Sequence, residues 1–322
     1  MRSLLLAALL ALAGTVGASS FEARFDVAWR LVAERYWDLD RMAVDWDEAR
    51  AEYGPAARDA ADDDAFYTLL ETMYARIGDD HTAFVRPERV AEFRDRYGDL
   101  PCLGVFGVAG AGAGEASAPP GTVPALPDPL LLAGPIAYGL LDAATGYVRI
   151  DDLVQGGTSA GVRTAVGDLL ALGAEAFILD VRGNPGGRLI TMMQVAGVFT
   201  SGFLWRAVTT WSLPVPYPAL GATLTDAPLA VLVDGDVHSA AEGLAGALQM
   251  RGRAVVVGAT TAGNVEAVLP FCLRDGSQAW VATGVLAPIG GPTWEGRGVT
   301  PDVETASGDA LGAALDALYD RP

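Results

Sequence analysis

The spacing of apolar residues changes along this chain, and the change falls near residue 134. In residues 21–37 apolar side chains recur at the 3.6-residue period of a helix with one buried face. The acidic run 62–64 suits a helix N-terminus, and residues 66–77 then repeat the helical spacing. We therefore predict a small N-terminal helical domain over residues 19–98. The apolar positions of its first helix are Phe21, Phe25, Trp29, Val32 and Tyr36.

From residue 134 to the end, short apolar runs alternate with helical patterns. This alternation is typical of an α/β core, in which functional sites lie at the carboxyl ends of strands. The intervening residues 99–133 include a Gly, Ala and Pro-rich run with almost no charge, which predicts a linker region. The pattern predicts strands at 136–141, 147–150, 176–181, 229–233 and 254–258, helices at 188–199 and 239–251, and β structure over 265–285.

The first eighteen residues have the features of a secretory signal peptide. Arg2 precedes an apolar stretch, and small residues at 16–18 suit cleavage near Ala18. The stretch is shorter than the roughly 20 residues that span a bilayer, although an uncleaved anchor is the alternative. We expect export to the periplasm or the exterior. In such an oxidising compartment Cys102 and Cys272 could form a disulfide, or could remain isolated core residues.

Charge and composition exclude several kinds of chemistry. The formal net charge of −18 disfavours binding to nucleic acid or to an anionic membrane surface. All 22 basic residues are arginine, so a lysine base or Schiff base is excluded. The only histidines, His81 and His238, are the two candidates for a histidine base. We expect no metal and no cofactor, since the sequence has neither metal-ligand spacing nor a phosphate-binding glycine loop.

One serine begins a predicted helix directly after a buried strand. Ser239 and Glu242 form a Ser-x-x-Glu pattern, which is the signature of a helix capping box. The same position suits a nucleophile, because free backbone N–H groups and the helix dipole there stabilise a developing oxyanion. A second turn at 180–187 also follows a buried strand and ends in Gly186 and Gly187. It is either an ordinary strand-to-helix connection or a second source of N–H donors.

Six short segments, in the same order along the chain, resemble the tail-specific protease or C-terminal processing peptidase family. They are 44–47 (VDWD), 79–82 (DDHT), 146–150 (GYVRI), 179–187 (LDVRGNPGG), 239–242 (SAAE) and 295–302 (EGRGVTPD). The resemblance implies a crotonase-like α/β core and hydrolysis of peptides or unfolded proteins by a serine peptidase. It implies Ser239 as the nucleophile. An oxyanion hole would then be formed by the N–H of Ala240 with that of Gly186 or Gly187.

The resemblance also bears on the base that activates the serine. Many members of the family use a lysine 25 residues after the serine, a position that Asn264 occupies here. Because the chain has no lysine, the Ser-Lys mechanism is excluded. A branch similar to the core of tricorn protease uses a histidine and a glutamate, and here this implies His81 as base and Glu295 as its carboxylate. Taken singly, His81 could have a purely structural role in its turn, and Glu295 could be a solvated loop residue.

Two site details stay open in that comparison. The resemblance gives the residue before the histidine a supporting role, and this residue is a serine in the tricorn-like branch and Asp80 here. His238 adjoins Ser239 and is the alternative base, although neighbouring side chains usually diverge at a helix entrance.

Other functions compete with the peptidase. Ser159 lies in a G-x-S-x-G pattern that esterases use, but residues 152–155 separate it from the preceding strand and only His238 follows it. The family also resembles retinoid-binding proteins, so an inactive relative that binds peptide or apolar ligand is the alternative to an enzyme. Between His81 and Tyr147 there is too little patterned sequence for a PDZ module, and we predict its absence.

Overall fold

The computed structural model describes residues 20–79, 81–97, 130–210, 212–306 and 308–319. Within these ranges, none of the helices has the length and hydrophobicity needed to cross a bilayer. The predicted signal peptide, Asp80 and Cys102 lie outside the described residues. Cys272 is disulfide-bonded, and Cys102 is the only other cysteine in the chain.

Polar side chains begin the predicted helices of the N-terminal part. Ser20 Oγ accepts the N–H of Ala23, and Asp62 Oδ1 accepts that of Ala65, as expected of N-cap residues. The first helix ends two residues earlier than predicted because Tyr36 is extended. The helices are α1 Phe21–Arg35, α2 Trp46–Arg58, α3 Asp63–Ala75, α4 Pro87–Tyr97, α5 Thr158–Ala171, α6 Leu189–Phe199, α7 Ala240–Met250 and α8 Ala310–Tyr319, with a 3₁₀ turn at Leu39–Arg41.

The strands form two sheets, and the mixed α/β fold predicted from the sequence is confirmed. The strands are β1 Ala83–Val85, β2 Leu131–Ala133, β3 Ile136–Leu140, β4 Thr145–Arg149, β5 Ala176–Asp180, β6 Phe203–Val208, β7 Val215–Pro218, β8 Leu229–Val233, β9 Val255–Gly258, β10 Glu266–Cys272, β11 Gln278–Pro288 and β12 Val303–Glu304. Seven of them lie in the order β12-β9-β8-β5-β4-β3-β2, parallel from β12 to β4.

The second sheet joins the helical part to the rest of the chain. It is antiparallel, with β11 at its centre paired to β1, β10 and β6. The apolar faces of α1 and α3 pack against this sheet, and one hydrophobic core includes Val32, Tyr74, Phe84, Val281 and Val285. The N-terminal helices therefore share a core with β10 and β11.

Leu131–Ala133, which the sequence analysis assigned to the linker region, pair with β3 as the edge strand β2. Gly134 has a φ of +60° in the tight turn between the two strands, a conformation that favours glycine. Three residues before such a turn give too short a pattern to distinguish a strand from a loop. The rest of the predicted linker, through residue 129, lies outside the described residues.

The parallel pairing of β5 with β8 brings the two candidate turns together. Leu179 lies beside Val231 in this pairing, so the carboxyl ends of both strands meet at one edge of the sheet. The 180–187 turn follows β5, and the turn that contains Ser239 follows β8. Both turns lead into helices, α6 and α7, whose N-termini therefore start at the same edge.

Candidate active site

Ser239 has an unusual backbone conformation at the start of α7. Its φ of +52° and ψ of −123° make it the only non-glycine residue with a positive φ among the described residues. Such a conformation costs about 1–3 kcal/mol and persists only where the surroundings hold it. Its N–H donates to Asn264 O at 2.8 Å and approaches Glu242 Oε1 at 3.2 Å. The side chain is buried.

The glycine turn lies directly against this serine. A Cβ added to Gly186 would lie 2.7 Å from Ser239 Cβ and 3.0 Å from the backbone nitrogen of Ala240. Asn184 fixes the turn. Its side-chain Nδ2 donates to Ile150 O at 2.9 Å, and its backbone carbonyl accepts the backbone N–H of His238 at 3.0 Å. The close approach therefore requires glycine at 186, and the hydrogen bonds of Asn184 hold the turn in place.

The backbone N–H groups around Ser239 differ in their availability. The N–H of Gly186 donates to Asn184 Oδ1 at 2.8 Å. In the described part of the chain no group accepts a hydrogen bond from the N–H of Gly187 or of Ala240. Of the two glycines that the sequence offered as donors, Gly187 is the one whose N–H is not already engaged.

Glu242 fixes the turn 261–264, which ends at Asn264, the position of the lysine in many members of the family. It is fully buried on α7. Its carboxylate accepts the N–H of Gly263 at 2.7 Å and of Asn264 at 2.8 Å, and also the hydroxyl of Thr261. The capping residue of the sequence analysis thus orients both the amide of Ser239 and the 261–264 turn.

His81 lies at the end of the helical part, just before β1. Its backbone N–H donates to Asp79 Oδ1 at 2.9 Å, and the neighbouring Thr82 Oγ1 accepts the backbone N–H of Ala282 on β11 at 3.1 Å. The imidazole is 4% exposed. The pairing of β1 with β11 therefore carries the histidine into the interior, although it is distant in sequence from Ser239.

The carboxylate in contact with His81 is one that the sequence analysis did not single out. Glu266 Oε2 lies 3.3 Å from His81 Nδ1, and both side chains are buried. Nδ1 has no hydrogen-bond partner among the described residues, so this is a close contact and not a hydrogen bond. Glu266 Oε1 accepts the indole N–H of Trp37 at 2.7 Å. A glutamate at an apolar-patterned strand position was the signal that could have revealed it.

Glu295 lies in the same cluster, on the turn that follows β11. Its Oε2 accepts the N–H of Val265 at 2.8 Å. Burial raises the pKa of Glu295 to about 7, and the nearby Glu266 carboxylate raises it too, whereas the Val265 N–H and His81 lower it. Burial also raises the pKa of the neighbouring Tyr36 phenol, and the charge of Asp79 adds to that shift.

The contacts of Ser239, His81 and Glu295 converge on residues 264–266. Ser239 N–H binds the carbonyl of Asn264, Glu295 binds the N–H of Val265, and His81 contacts the side chain of Glu266. The predicted site residues thus come from both parts of the chain to one three-residue segment. Their catalytic roles stay predictions.

The competing residues have different surroundings. Ser159 is the second residue of α5, and its Oγ donates to Gln194 Oε1 on α6 at 2.8 Å, so it lies on a helix and not at a strand-to-helix elbow. His238 is half-buried and its backbone N–H binds Asn184. Throughout the ranges that the structure covers, His, Cys, Asp and Glu side chains form no group suited to a metal ion.

Comparisons with known proteins give the family of this chain. The profile of peptidase family S41 matches residues 144–305, half of the chain, and that of the tricorn protease C1 domain matches residues 18–75. A carboxyl-terminal-processing protease of Synechocystis sp. is 28% identical over 341 aligned positions, which cover 85% of this chain and 79% of that protein. One from Picosynechococcus sp. is 37% identical over 137 positions, 41% of this chain and 32% of that protein.

A solved structure has the same fold. The photosystem II D1 C-terminal processing protease superposes with a TM-score of 0.64 at 22% identity, covering 89% of this chain and 93% of that one. The matched segment 144–305 contains both turns, Ser239 and Glu295, and the tricorn C1 match contains α1, α2 and α3. The family predicted from six short motifs is confirmed: the chain belongs to peptidase family S41, a family of serine peptidases.

Proposed function

We propose that this protein is an exported serine peptidase that hydrolyses peptide bonds through an acyl-enzyme on Ser239. The observation that carries the proposal is the convergence of Ser239, His81 and Glu295 on the segment 264–266. The substrate class is a peptide or an unfolded protein. The matched relatives are carboxyl-terminal-processing proteases, and we extend processing near a C-terminus to this chain as part of the proposal.

The chemistry follows from the residues present. A serine hydroxyl is a weak nucleophile near neutral pH, so His81 takes its proton as Ser239 attacks the carbonyl carbon and later returns it to the leaving amine. The oxyanion of the tetrahedral intermediate accepts hydrogen bonds from the N–H of Ala240, the residue after the serine, and of Gly187, the residue after Gly186. Neither N–H has an acceptor in the described part of the chain. A carboxylate beside the imidazole stabilises the imidazolium that forms.

The strained backbone of Ser239 supports this assignment over a purely capping role. A capping serine normally has an extended backbone, whereas Ser239 has a positive φ that costs free energy. Glu242, Asn264 and Gly186 hold it in that conformation through the contacts described above. Strain of this kind clusters at active sites, and a strained strand-to-helix turn carries the nucleophile in other serine hydrolases.

A fluorophosphonate probe tests the proposal, because it phosphonylates only an activated serine. We expect labelling of the wild-type protein, no labelling of Ser239→Ala, and strongly reduced labelling of His81→Gln. Ser159→Ala is the matched control and keeps wild-type labelling. A folded wild-type protein that the probe does not label contradicts the enzyme and favours the alternative, an inactive relative that binds peptide or apolar ligand.

A further inference from the structure

The buried cluster around His81 contains two glutamates, and each makes a different contact. Glu266 approaches the imidazole Nδ1 at 3.3 Å, whereas Glu295 is occupied by the backbone N–H of Val265. We propose that Glu266 is the positioning carboxylate of His81, and that Glu295 acts one step further away by fixing the backbone beside Glu266. The inference rests on the proposed function, in which His81 is the base.

Glu266 is held so that one oxygen faces the histidine. As the first residue of β10 it pairs with Val285 of β11, which fixes its backbone. Its Oε1 accepts the Trp37 indole N–H at 2.7 Å, and Trp37 is itself fixed because its backbone N–H donates to Ala282 O at 2.9 Å. The remaining oxygen, Oε2, is the one near His81 Nδ1.

The burial of this pair gives it a chemical consequence. The side chains of His81 and Glu266 are 4% and 5% exposed, so little water screens their interaction. A carboxylate at Nδ1 favours the tautomer that carries the proton there and leaves Nε2 as the basic nitrogen. The contact is not a hydrogen bond in this structure, and catalytic hydrogen bonds in resting enzymes are often long and tighten with substrate.

Glu295 is poorly suited to the same role. Its Oε2 already accepts the Val265 N–H at 2.8 Å, and it lies close enough to Glu266 for the two charges to disfavour each other. Burial and the charge of the neighbouring Glu266 raise the pKa of Glu295 to about 7, so its carboxyl group is partly protonated near neutral pH. Its hydrogen bond to Val265 holds the residue that precedes Glu266.

The other charged groups around the pair are consistent with this division. Asp79 binds the backbone N–H of His81, so that carboxylate oxygen faces the turn and not the ring. Tyr36 lies beside Asp79 and Glu266 and remains neutral, because burial and these carboxylates raise the pKa of its phenol. Arg41 is exposed at the rim near Glu295. Glu266 is thus the only one of these groups in contact with Nδ1.

Two isosteric variants separate the roles of the glutamates. Glu266→Gln keeps an acceptor for Trp37 but removes the charge beside His81, and we expect the fluorophosphonate labelling rate at pH 7 to fall by about 10²–10⁴-fold. Glu295→Gln keeps the acceptor for Val265, and its rate falls by less than about 10-fold. Unfolding in urea verifies that both variants are folded.

The pH dependence of labelling separates positioning from folding. Loss of a nearby negative charge lowers the pKa of an imidazole, so the acid limb of the Glu266→Gln rate profile moves to lower pH, and by more than that of Glu295→Gln. An equal or larger shift and rate loss in Glu295→Gln overturns the inference. Wild-type protein that does not label contradicts the proposed function instead, so the two failures are distinguishable.

A third variant covers the case in which Glu266→Gln does not fold. Trp37→Phe removes the donor to Glu266 Oε1 while keeping an aromatic ring and both carboxylates. The carboxylate is then free to rotate away from His81, and we expect labelling to slow by about 10-fold or more, the effect of a small misplacement of a catalytic group. Labelling at the wild-type rate in a folded Trp37→Phe protein counts against Glu266.

Discussion

Gly186 is the residue at which one added methyl group should affect both the activity of Ser239 and the stability of the fold. An alanine Cβ at this position would lie 2.7 Å from Ser239 Cβ and 2.9 Å from the carbonyl oxygen of His238. Ordinary van der Waals contact begins at 3.4 Å, so the two turns must separate by about 0.7 Å (3.4 − 2.7) for Gly186→Ala to fit. Because the short contact is with Ser239 itself, this separation should displace the serine side chain.

The magnitude has two parts. Gly186 has a φ of +94°, where an L-residue costs about 1–2 kcal/mol. Overpacking against Ser239 adds about 1–3 kcal/mol, so we expect Gly186→Ala to lower the free energy of unfolding by about 2–5 kcal/mol. A displacement approaching 1 Å at a reacting group costs about 10²-fold in rate. For a movement of about 0.7 Å we therefore expect the labelling rate to fall by roughly 10- to 100-fold.

A matched control isolates the contact from the backbone strain. Gly173 has a φ of +96°, and a Cβ added there meets nothing within 4 Å. Gly173→Ala should therefore lose only the 1–2 kcal/mol or so of backbone strain and should label at the wild-type rate. The assays are urea unfolding and the rate of fluorophosphonate labelling. If Gly186→Ala is destabilised no more than Gly173→Ala, or labels as fast as wild type, the contact argument is wrong.

Three further changes test other contacts. Glu295→Gln should remove a pH dependence of stability, because the raised pKa of Glu295 means that the fold favours its protonated form. The wild-type protein should therefore lose stability relative to the variant as the pH rises from 4.5 through about 7. If the two proteins differ in free energy of unfolding in urea by the same amount at pH 4.5 and at pH 8, this prediction is wrong. Asp180→Asn should lower unfolding free energy by about 3–5 kcal/mol, because a fully buried carboxylate paired with Arg182 and Arg149 is lost, and a loss under about 1 kcal/mol is inconsistent with it. Asn184→Ala should cost about 1–3 kcal/mol for each buried partner left unpaired and slow labelling, and unchanged labelling removes Asn184 from the positioning of the glycine turn.

The sheet edge that carries Ser239 could be predicted from local sequence. The run at 229–233 is apolar at every position, and the structure buries all of it as β8. The glycines that follow β5 mark a turn, and parallel neighbours place their turns at one edge. Each of these signals acts over fewer than about ten residues, which is why pattern analysis found the serine and the glycine turn.

Glu266 could not be assigned in the same way. The sequence analysis predicted β structure over 265–285, but a strand prediction gives neither the partner strand nor the register. Glu266 contacts His81 because β1 and β10 both pair with β11, and it contacts Trp37, 229 positions earlier, across the same interface. Glu295 could be assigned as a candidate site residue because it begins a recognisable family motif, whereas none of the six motifs includes Glu266.

The shared core explains why the candidate base depends on packing that is remote from the serine. The antiparallel sheet contacts α1 and α3 through one hydrophobic core, and β1 brings His81 to β11 from the helical side. Ser239 lies at the start of α7, after β8 of the other sheet, and is linked to the histidine region through the segment 264–266. A change that loosens the helical core, such as Tyr74→Ala, should thus slow labelling of Ser239 through His81, while the conformation of the serine, held by Glu242 and Gly186, is kept.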